Sequence, residues 1–518
     1  MSQSNYQITK FPNYQILTSA LLLVLFSAVL FLLQSGLRAD AFFIGDPGIK
    51  LIAAKNAMAR PDHPLDIPLP VIGRESLPYV EPFFEVHGDH VHAVTTDLFP
   101  LASARAIQWF GLRGAYILPA VGCLTLLIGC AWLAIVLDNR RNPAFVLIIA
   151  AVATPFLFYG LEFWEHTPAV ASATIGTALF ATALRARKAA TSMALAAGLA
   201  FGVATLLRPE SALTFLAVLL ASWTLGRGSA NRPLLIGLSL VAAAVTLAPL
   251  EIYTLRHFSR VMPAHLWANA GLLQGSWIAE RGHLIAAWFL PSGWTASGPV
   301  RPQSFWIVAP LVLLACVPVR PDVARDGRRF LWTSTVLVLV LVFLTAPNDG
   351  GGQWTPRYLL FAYVPLVILA GDAVEALPRR ATTVTALGLL LLACLWIQRS
   401  AYRELRGTKS TYGQVVDFVS NEVAPGGCIV SDLWWLDQIA ASATSARRLM
   451  YVPSAGDAHA VMQRLSRAVV PIVTVIRSET ESPDVGAWRE DTCYVEIKRD
   501  RLNVRRLVAI TLHHRCSQ

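Results

Sequence analysis

ILTSALLLVLFSAVLFLLQSGL, residues 16–37, runs from Ile16 to Leu37 without one charged side chain. A helix needs about 20 apolar residues to cross a hydrocarbon core about 30 Å thick, and this stretch supplies them. It is too long for the apolar core of a cleaved signal peptide, and no small-residue cleavage site follows it, so it reads as a retained signal anchor. Outward from it, comparable runs recur near 114–137, 143–160, 167–184, 190–207, 210–225, 234–255, 305–319, 330–346, 357–376 and 381–399, giving about eleven spans.

Composition points the same way. Of 518 residues, 55% are hydrophobic and 15% charged, whereas an ordinary soluble domain carries about 25% charged residues. This excludes a soluble enzyme and a disordered chain, and seven cysteines are too dilute for a disulfide scaffold. What remains is a polytopic α-helical membrane protein. Its net charge of +10 is informative through its distribution. Arg140-Arg141, Arg185 with Arg187-Lys188, Arg227 with Arg232, the group Arg320, Arg325, Arg328 and Arg329, and Arg379-Arg380 fall on alternate connections. Cytoplasmic loops are short and rich in Lys and Arg, so these connections face the cytoplasm. The N-terminus is then inside, and everything after Ala401 is outside. The positive excess sets orientation and gives no reason to expect a nucleic-acid partner.

Two domains follow. Residues 1–400 form the membrane domain, with external loops at 39–112 and 257–304. In the first loop, Pro47 to Arg60 has helical spacing of Ile49, Ile52, Ala53 and Met58, with Asp46 as N-cap and Pro47 at the first helical position, which predicts a short helix on the membrane surface. Residues 98–112 predict a second interfacial helix anchored by Trp109 and Phe110. Residues 401–518 form a small soluble α/β domain. It alternates β-rich runs (Cys428 to Val430, Ala468 to Ile476, Cys493 to Ile497, Leu507 to Leu512) with helical patterns (Tyr412 to Val423, Trp435 to Ser442, Ala458 to Ala468). Of the three cysteines in this tail, Cys428, Cys493 and Cys516, the odd number leaves the pairing open; Cys428–Cys493 is the pairing favoured, because both begin predicted strands.

The unusual polar residues collect on the external face. Asp46 sits between Gly45 and Gly48, with Lys50 one turn on; it reads as a helix N-cap, a functional carboxylate, or both. The turn between the third and fourth spans holds Glu162, Glu165 and His166, either a polar turn meeting water or groups facing an interior cavity. Arg208-Pro209-Glu210 joins two further spans and reads as a structural ion pair or as part of a site. Before a late span, Asn348-Asp349-Gly350-Gly351-Gly352-Gln353-Trp354-Thr355-Pro356-Arg357-Tyr358 combines three glycines with a guanidinium and two aromatics, suited to gripping an anion or to anchoring at headgroups. The stretch His87-Gly88-Asp89-His90-Val91-His92 has metal-ligand types at a spacing that fits no known site, and an ordinary hydrated loop is the expectation.

Taken in order, the first-loop acid, the Trp-Glu-His-Thr turn, the Arg-Pro-Glu joint and the Gly-Gly-x-Trp-x-Pro-Arg-Tyr loop resemble the GT-C superfamily of membrane glycosyltransferases. The likeness is to the bacterial branch related to protein O-mannosyltransferases and aminoarabinose transferases, and it covers the spans to about residue 400. It implies a multi-pass protein of the bacterial inner membrane that transfers a sugar from a polyprenyl-phosphate donor to a glycan, lipid or protein acceptor on the external face. It also implies that Asp46 is the base, with Glu165 and His166 at the catalytic centre. Glu162, which competes with Glu165 for the second acidic position, joins Lys50, Arg208, Glu210, Trp354, Arg357 and Tyr358 around substrate and phosphate. Pro47 follows Asp46 where several members carry a second acid, which argues against a metal-binding version; no cofactor is expected, with a divalent metal left open. Direct displacement by the acceptor inverts the anomeric centre. A transporter or flippase of a lipid-linked or polar substrate is the alternative, and a scaffold acting through its tail is a third reading. Both suit the external clustering of polar groups less well.

Orientation is open to direct measurement. Alkaline phosphatase fused after residue 400 is expected to be active, and the same reporter fused after Arg141 inactive; the reverse pattern overturns the assignment.

Overall fold

The computed structural model describes residues 13–68, 83–87, 90–186, 189–225, 231–258, 276–290, 303–319, 325–351, 353–479, 488–490, 492–502, 504, 506 and 507–516. Gly88, Asp89, Arg187, Lys188, Arg227, Arg320 and Gly352, named above, lie outside them, as does most of the loop 257–304. The chain divides into two compact units, one of Met1–Ser35 with Tyr116–Arg403 and the other of Gly36–Ala115 with Glu404–Gln518. The first external segment therefore groups with the tail.

In the first unit, helices dominate because a backbone in hydrocarbon must satisfy its own hydrogen bonds. Among the described residues, eight helices of the chain are long and apolar enough to cross a membrane, the first over Gln15–Ser35. That helix leaves Leu17, Leu21, Val24, Phe31 and Leu32 exposed on the protein, as expected of a lipid-facing surface. Three expected spans are shorter or broken. The run 143–160 is a helix Pro143–Val152 followed by a separate turn Phe156–Gly160, because Pro155 lacks an N–H and disfavours helix in the residue before it. The run 210–225 gives Ser211–Ala221 and one tighter turn. The run 305–319 gives Pro310–Cys316, a 3-10 helix.

Helices His166–Arg185, Ala190–Leu207 and Arg232–Phe258 pack one against the next. The close approach rests on small residues. A Cβ added to Gly198 would lie 2.1 Å from the Ser239 carbonyl oxygen, and one added to Gly202 would lie 2.5 Å from Thr246 Cβ. Glycines four apart open the helix surface to a neighbouring backbone, which is how apolar helices associate where lipid gives no hydrophobic drive. At the end assigned to the cytoplasm, Arg141 makes a two-pronged bond to Asp372 at 2.6 and 2.9 Å, and Arg328 adds a third contact at 3.1 Å. These ions tie the loop after Ile117–Leu137 to helices Arg325–Thr345 and Tyr363–Ala376.

The second unit holds two sheets among the described residues. Strands β1 (Ile67–Pro68), β2 (Phe84–His87) and β3 (His90–Ala93) pair antiparallel in the order β1-β3-β2. Strands β4 (Cys428–Ser431), β5 (Arg448–Tyr451), β6 (Ile472–Ser478), β7 (Tyr494–Leu502) and β8 (Leu507–His514) form a sheet ordered β5-β4-β6-β8-β7, parallel among the first three and antiparallel at the other edge. β5 escaped the sequence reading because Arg448–Tyr451 is short and follows two arginines. The span at 381–399 and the helix at 412–423 are one helix, Ala381–Glu422, since no Pro or turn signal separates them. The expected Cys428–Cys493 pair does not form. Cys493 bonds Cys516, with Cα atoms 5.2 Å apart, and Cys428 is buried and unbonded. The sheet order explains this: Cys493 precedes β7 and Cys516 follows β8, adjacent antiparallel strands, whereas Cys428 begins β4, separated from β7 by β6 and β8.

The helix Gly45–Ala59 starts two residues earlier than expected, with Ile44 as an extended N-cap that makes no side-chain cap. Asp46 therefore lies inside the first turn, and Pro47 is tolerated there because the first N–H groups of a helix have no acceptor within it. Ile49 and Ala53 pack on Ile67, Phe84, Val91 and Ala93 of the small sheet. Protein covers this face of a helix expected on the membrane surface. In the histidine-rich stretch, expected as a hydrated loop, the described residues belong to two antiparallel strands, Phe84–His87 and His90–Ala93. His92 is 3% exposed, with Nδ1 at 3.3 Å from the Leu65 carbonyl and Nε2 at 3.3 Å from Asp97.

Burial pushes the Asp437 carboxyl up from 3.8 to about 6, against the opposing pull of the Thr444 hydroxyl and Lys55. Below both values the folded and unfolded states are equally protonated. As pH rises from about 4 to about 6 the unfolded chain ionises first, so Asp437 costs the folded state increasing stability, about 3 kcal/mol by the top of the window. Urea titrations of the intact protein across this range are expected to show that loss in the wild type and a flatter profile in Asp437→Asn.

Candidate active site

In the first unit, the turn Phe156–Gly160 ends at Leu161, and the chain crosses Glu162, Phe163 and Trp164 to start the helix His166–Arg185. Glu162, Trp164, Glu165 and His166 are 0–2% exposed. Glu165 stands at the N-cap position of that helix without capping it by its side chain. Its carboxylate accepts instead from Arg208, Nη1 to Oε1 at 3.0 Å. Arg208 in turn closes the helix Ala190–Leu207, with its N–H on the Ala204 carbonyl, and Glu210 precedes the helix Ser211–Ala221. Pro209 makes the corner. Arg208 Nε donates to Glu210 Oε1 at 2.5 Å, and its Nη1 lies 3.3 Å from His166 Nε2. The ion pair and the site readings of Arg-Pro-Glu thus both hold: one guanidinium, 4% exposed, ties two carboxylates and an imidazole.

The late loop joins this group through Tyr358. Its ring lies between two cations, 5.6 Å from Arg208 Cζ and 5.4 Å from Arg357 Cζ, and its hydroxyl donates to Asn348 Oδ1 at 3.2 Å. The loop owes its shape to Asn348 and Asp349, whose side chains accept from the N–H groups of Gly350 and Gly351, each at 2.9 Å. Both glycines have positive φ, +96° and +70°, where a side chain would be strained. A Cβ on Gly350 would meet Arg357 Cγ at an ordinary contact distance of 3.4 Å, so it is the backbone conformation, and not space, that calls for glycine there. Trp354 is buried and tilts against Phe158 at 5.8 Å between centroids.

Tyr159 is the participant that the sequence reading missed. Its ring stacks on His166 at 4.7 Å with 15° between planes, and its hydroxyl donates to the Thr355 carbonyl at 2.9 Å. It links the Glu-His turn to the glycine loop. Nothing in an apolar run flags one tyrosine as different from its neighbours, although the break at Pro155 was visible. The unit thus brings together Glu165, His166, Arg208, Glu210, Arg357 and Tyr358, with Trp354 and Glu162 buried in the same loops. Asp46 and Lys50 belong to the other unit. There Asp46 is half-buried and Lys50 is 5% exposed. Their i, i+4 spacing puts acid and base on one helix face in the favourable order.

The fold is one that this chain shares with solved structures at low sequence identity. The particular structures it resembles include ArnT from Cupriavidus metallidurans in the apo state, with a TM-score of 0.62 and 13% identity over 94% of this chain and 97% of that one. The same ArnT bound to undecaprenyl phosphate matches at 0.59 and 14% over the same shares. The oligosaccharyltransferase AglB from Archaeoglobus fulgidus, in complex with an inhibitory peptide and a dolichol-phosphate, matches at 0.50 and 12% over 88% of this chain and 69% of that one. No protein-family model and no curated protein matches the sequence.

Removing a shared buried cation strands its carboxylates. Arg208→Met is expected to lower the unfolding free energy of the detergent-solubilised protein by about 3–5 kcal/mol in a denaturant titration. Arg208→Lys is expected to recover only part of that, because an ammonium cannot reproduce the fork.

Proposed function

We propose that this protein is a membrane glycosyltransferase that moves a sugar from a polyprenyl-phosphate donor to an acceptor hydroxyl on the external face. The observation that carries the reading is the assembly of buried Arg208, His166 and Tyr358 with half-buried Arg357 in a chain with this fold. Two guanidinia on one aromatic ring, beside a loop of glycines, are suited to a phosphate ester. Arg357, flanked by the glycines of its loop, is the better candidate for the phosphate oxygens. The neighbours described with undecaprenyl phosphate and with a dolichol-phosphate support a lipid-linked donor.

In this reading the acceptor oxygen attacks the anomeric carbon while its proton passes to the Asp46 carboxylate. The bond from that carbon to the phosphate oxygen breaks, and the phosphate departs with the electron pair. Cationic side chains stabilise the departing charge, and the configuration at the anomeric carbon inverts. Glu165 holds Arg208 in place, and His166, fixed by Tyr159, lies against the same guanidinium. Lys50 shares the helix face of Asp46. The acceptor is a glycan, a lipid or a protein.

The test is transfer from a labelled polyprenyl-phosphate sugar in proteoliposomes. Asp46→Asn is expected to slow transfer by about 10²- to 10⁴-fold with donor binding retained. Full activity in a folded Asp46→Asn variant overturns the assignment, and movement of labelled lipid without a new glycosidic bond supports a flippase instead.

A further inference from the structure

We propose that Gln438, in the tail, is the positioning residue for Asp46; the inference rests on Asp46 being the base. The first turn of the helix Gly45–Ala59 has no side-chain cap of its own, so its orientation is set by what packs on it. That partner is Gln438. A Cβ on Gly45 would lie 2.0 Å from Gln438 Oε1, and a Cβ on Gly48 would lie 1.6 Å from the Gln438 carbonyl oxygen. One residue thus fills the space of both missing side chains. The glycines either side of Asp46 are there for contact with the tail, in addition to any access they give a ligand.

Helical geometry then determines where Asp46 points. At about 100° per residue, Gly45, Gly48 and Lys55 fall within about 80° of one another on the face that meets the tail. Asp46 and Lys50 are turned away from that face. Lys55 makes the second anchor, with Nζ donating to the carbonyls of Ala441 and Ser442, both at 3.1 Å, and to Ser445 Oγ at 2.7 Å. The lead-in is fastened as well. Arg38 bridges Asp40 and Asp417 with bonds of 2.6 to 3.0 Å, Gly413 leaves room for its guanidinium, and Ser442 Oγ donates to the Asp40 carbonyl at 2.6 Å. Gln438 is itself 2% exposed, and its neighbour Asp437 is held by Thr444 at 2.9 Å. The residue that touches the Asp46 turn is therefore a fixed one. The tail acts as a platform that sets the direction of one carboxylate.

Two measurements on the full-length protein separate this from a general packing role. In hydrogen exchange, Gln438→Ala is expected to speed exchange at least tenfold at the amides of Ile49 and the residues just after it, while those of β4, β6 and β8 keep their protection. Unchanged exchange there overturns the clamp whatever the reaction is. In lipid-donor transfer, Gln438→Ala is expected to lower kcat tenfold or more with the donor KM unchanged. Gln438→Met, which keeps the volume without the amide, is expected to recover most of that rate, and it serves as the test if the alanine variant does not fold. In an Asp46→Asn background, Gln438→Ala is expected to cost nothing further; an equal loss there overturns the positioning role. Full activity of Asp46→Asn alone removes the catalytic reading, and the exchange experiment still decides the clamp.

Discussion

A polar group in hydrocarbon has no water to turn to, and so must find its partner in the protein. This constraint accounts for most of what the first unit does with its few polar residues. Where Pro155 interrupts the helix after Val152, the Gln398 amide from the long helix Ala381–Glu422 donates to the Thr154 carbonyl at 2.8 Å. Arg281 donates to the carbonyls of Phe343 and Ala346 at the end of the helix Arg325–Thr345. Arg208 is the strongest case, since a guanidinium that is 4% exposed is bearable only with Glu165 and Glu210 against it. Stability and function share the same atoms there. The ion pair that lets Arg208 be buried also fixes the loop in which His166, Tyr159 and Tyr358 meet.

The second unit solves a different problem. The segment Gly36–Ala115, too short to build a sizeable core alone, groups with the tail. Its helix Gly45–Ala59 obtains one face from the small antiparallel sheet and another from the helices that follow β4. The tail supplies the mass that the loop lacks. A parallel arrangement of β5, β4 and β6 buries Ile429, Val430, Val473 and Val475 completely, and the segment from Leu433 to Ser445, emerging from β4, meets the loop. Residues hundreds of positions apart thereby form one hydrophobic core, in which Ala41 sits with Val415, Val419, Leu436 and Ile439.

The individual residues show what could be read in advance. Ile16–Leu37, 190–207 and 234–255 were legible because a span requires an uncharged run of fixed length. The external polar residues were legible as candidates because ionisable groups beside apolar runs are costly. Their meaning in space was not. Tyr159 carried no signal in an apolar run, and His92 was read as hydrated although it is buried on β3. The Cys493–Cys516 bond needed the strand order, since pairing follows spatial adjacency and not the beginning of a strand. Identity of 12–14% to structures sharing the fold shows why patterning carried more information here than residue matching.

By itself, then, the sequence determined that the chain lives in a membrane, roughly where it crosses, and which scarce polar residues could bear a function. Length and hydropathy are local properties, and a bilayer reads them one segment at a time. Which of those residues touch was decided by tertiary structure alone. The contacts of Arg208 with Glu165, of Tyr358 with Arg208, and of Gln438 with the glycines beside Asp46 join segments far apart in the chain. They depend on the packing of whole helices and strands, which no local pattern encodes.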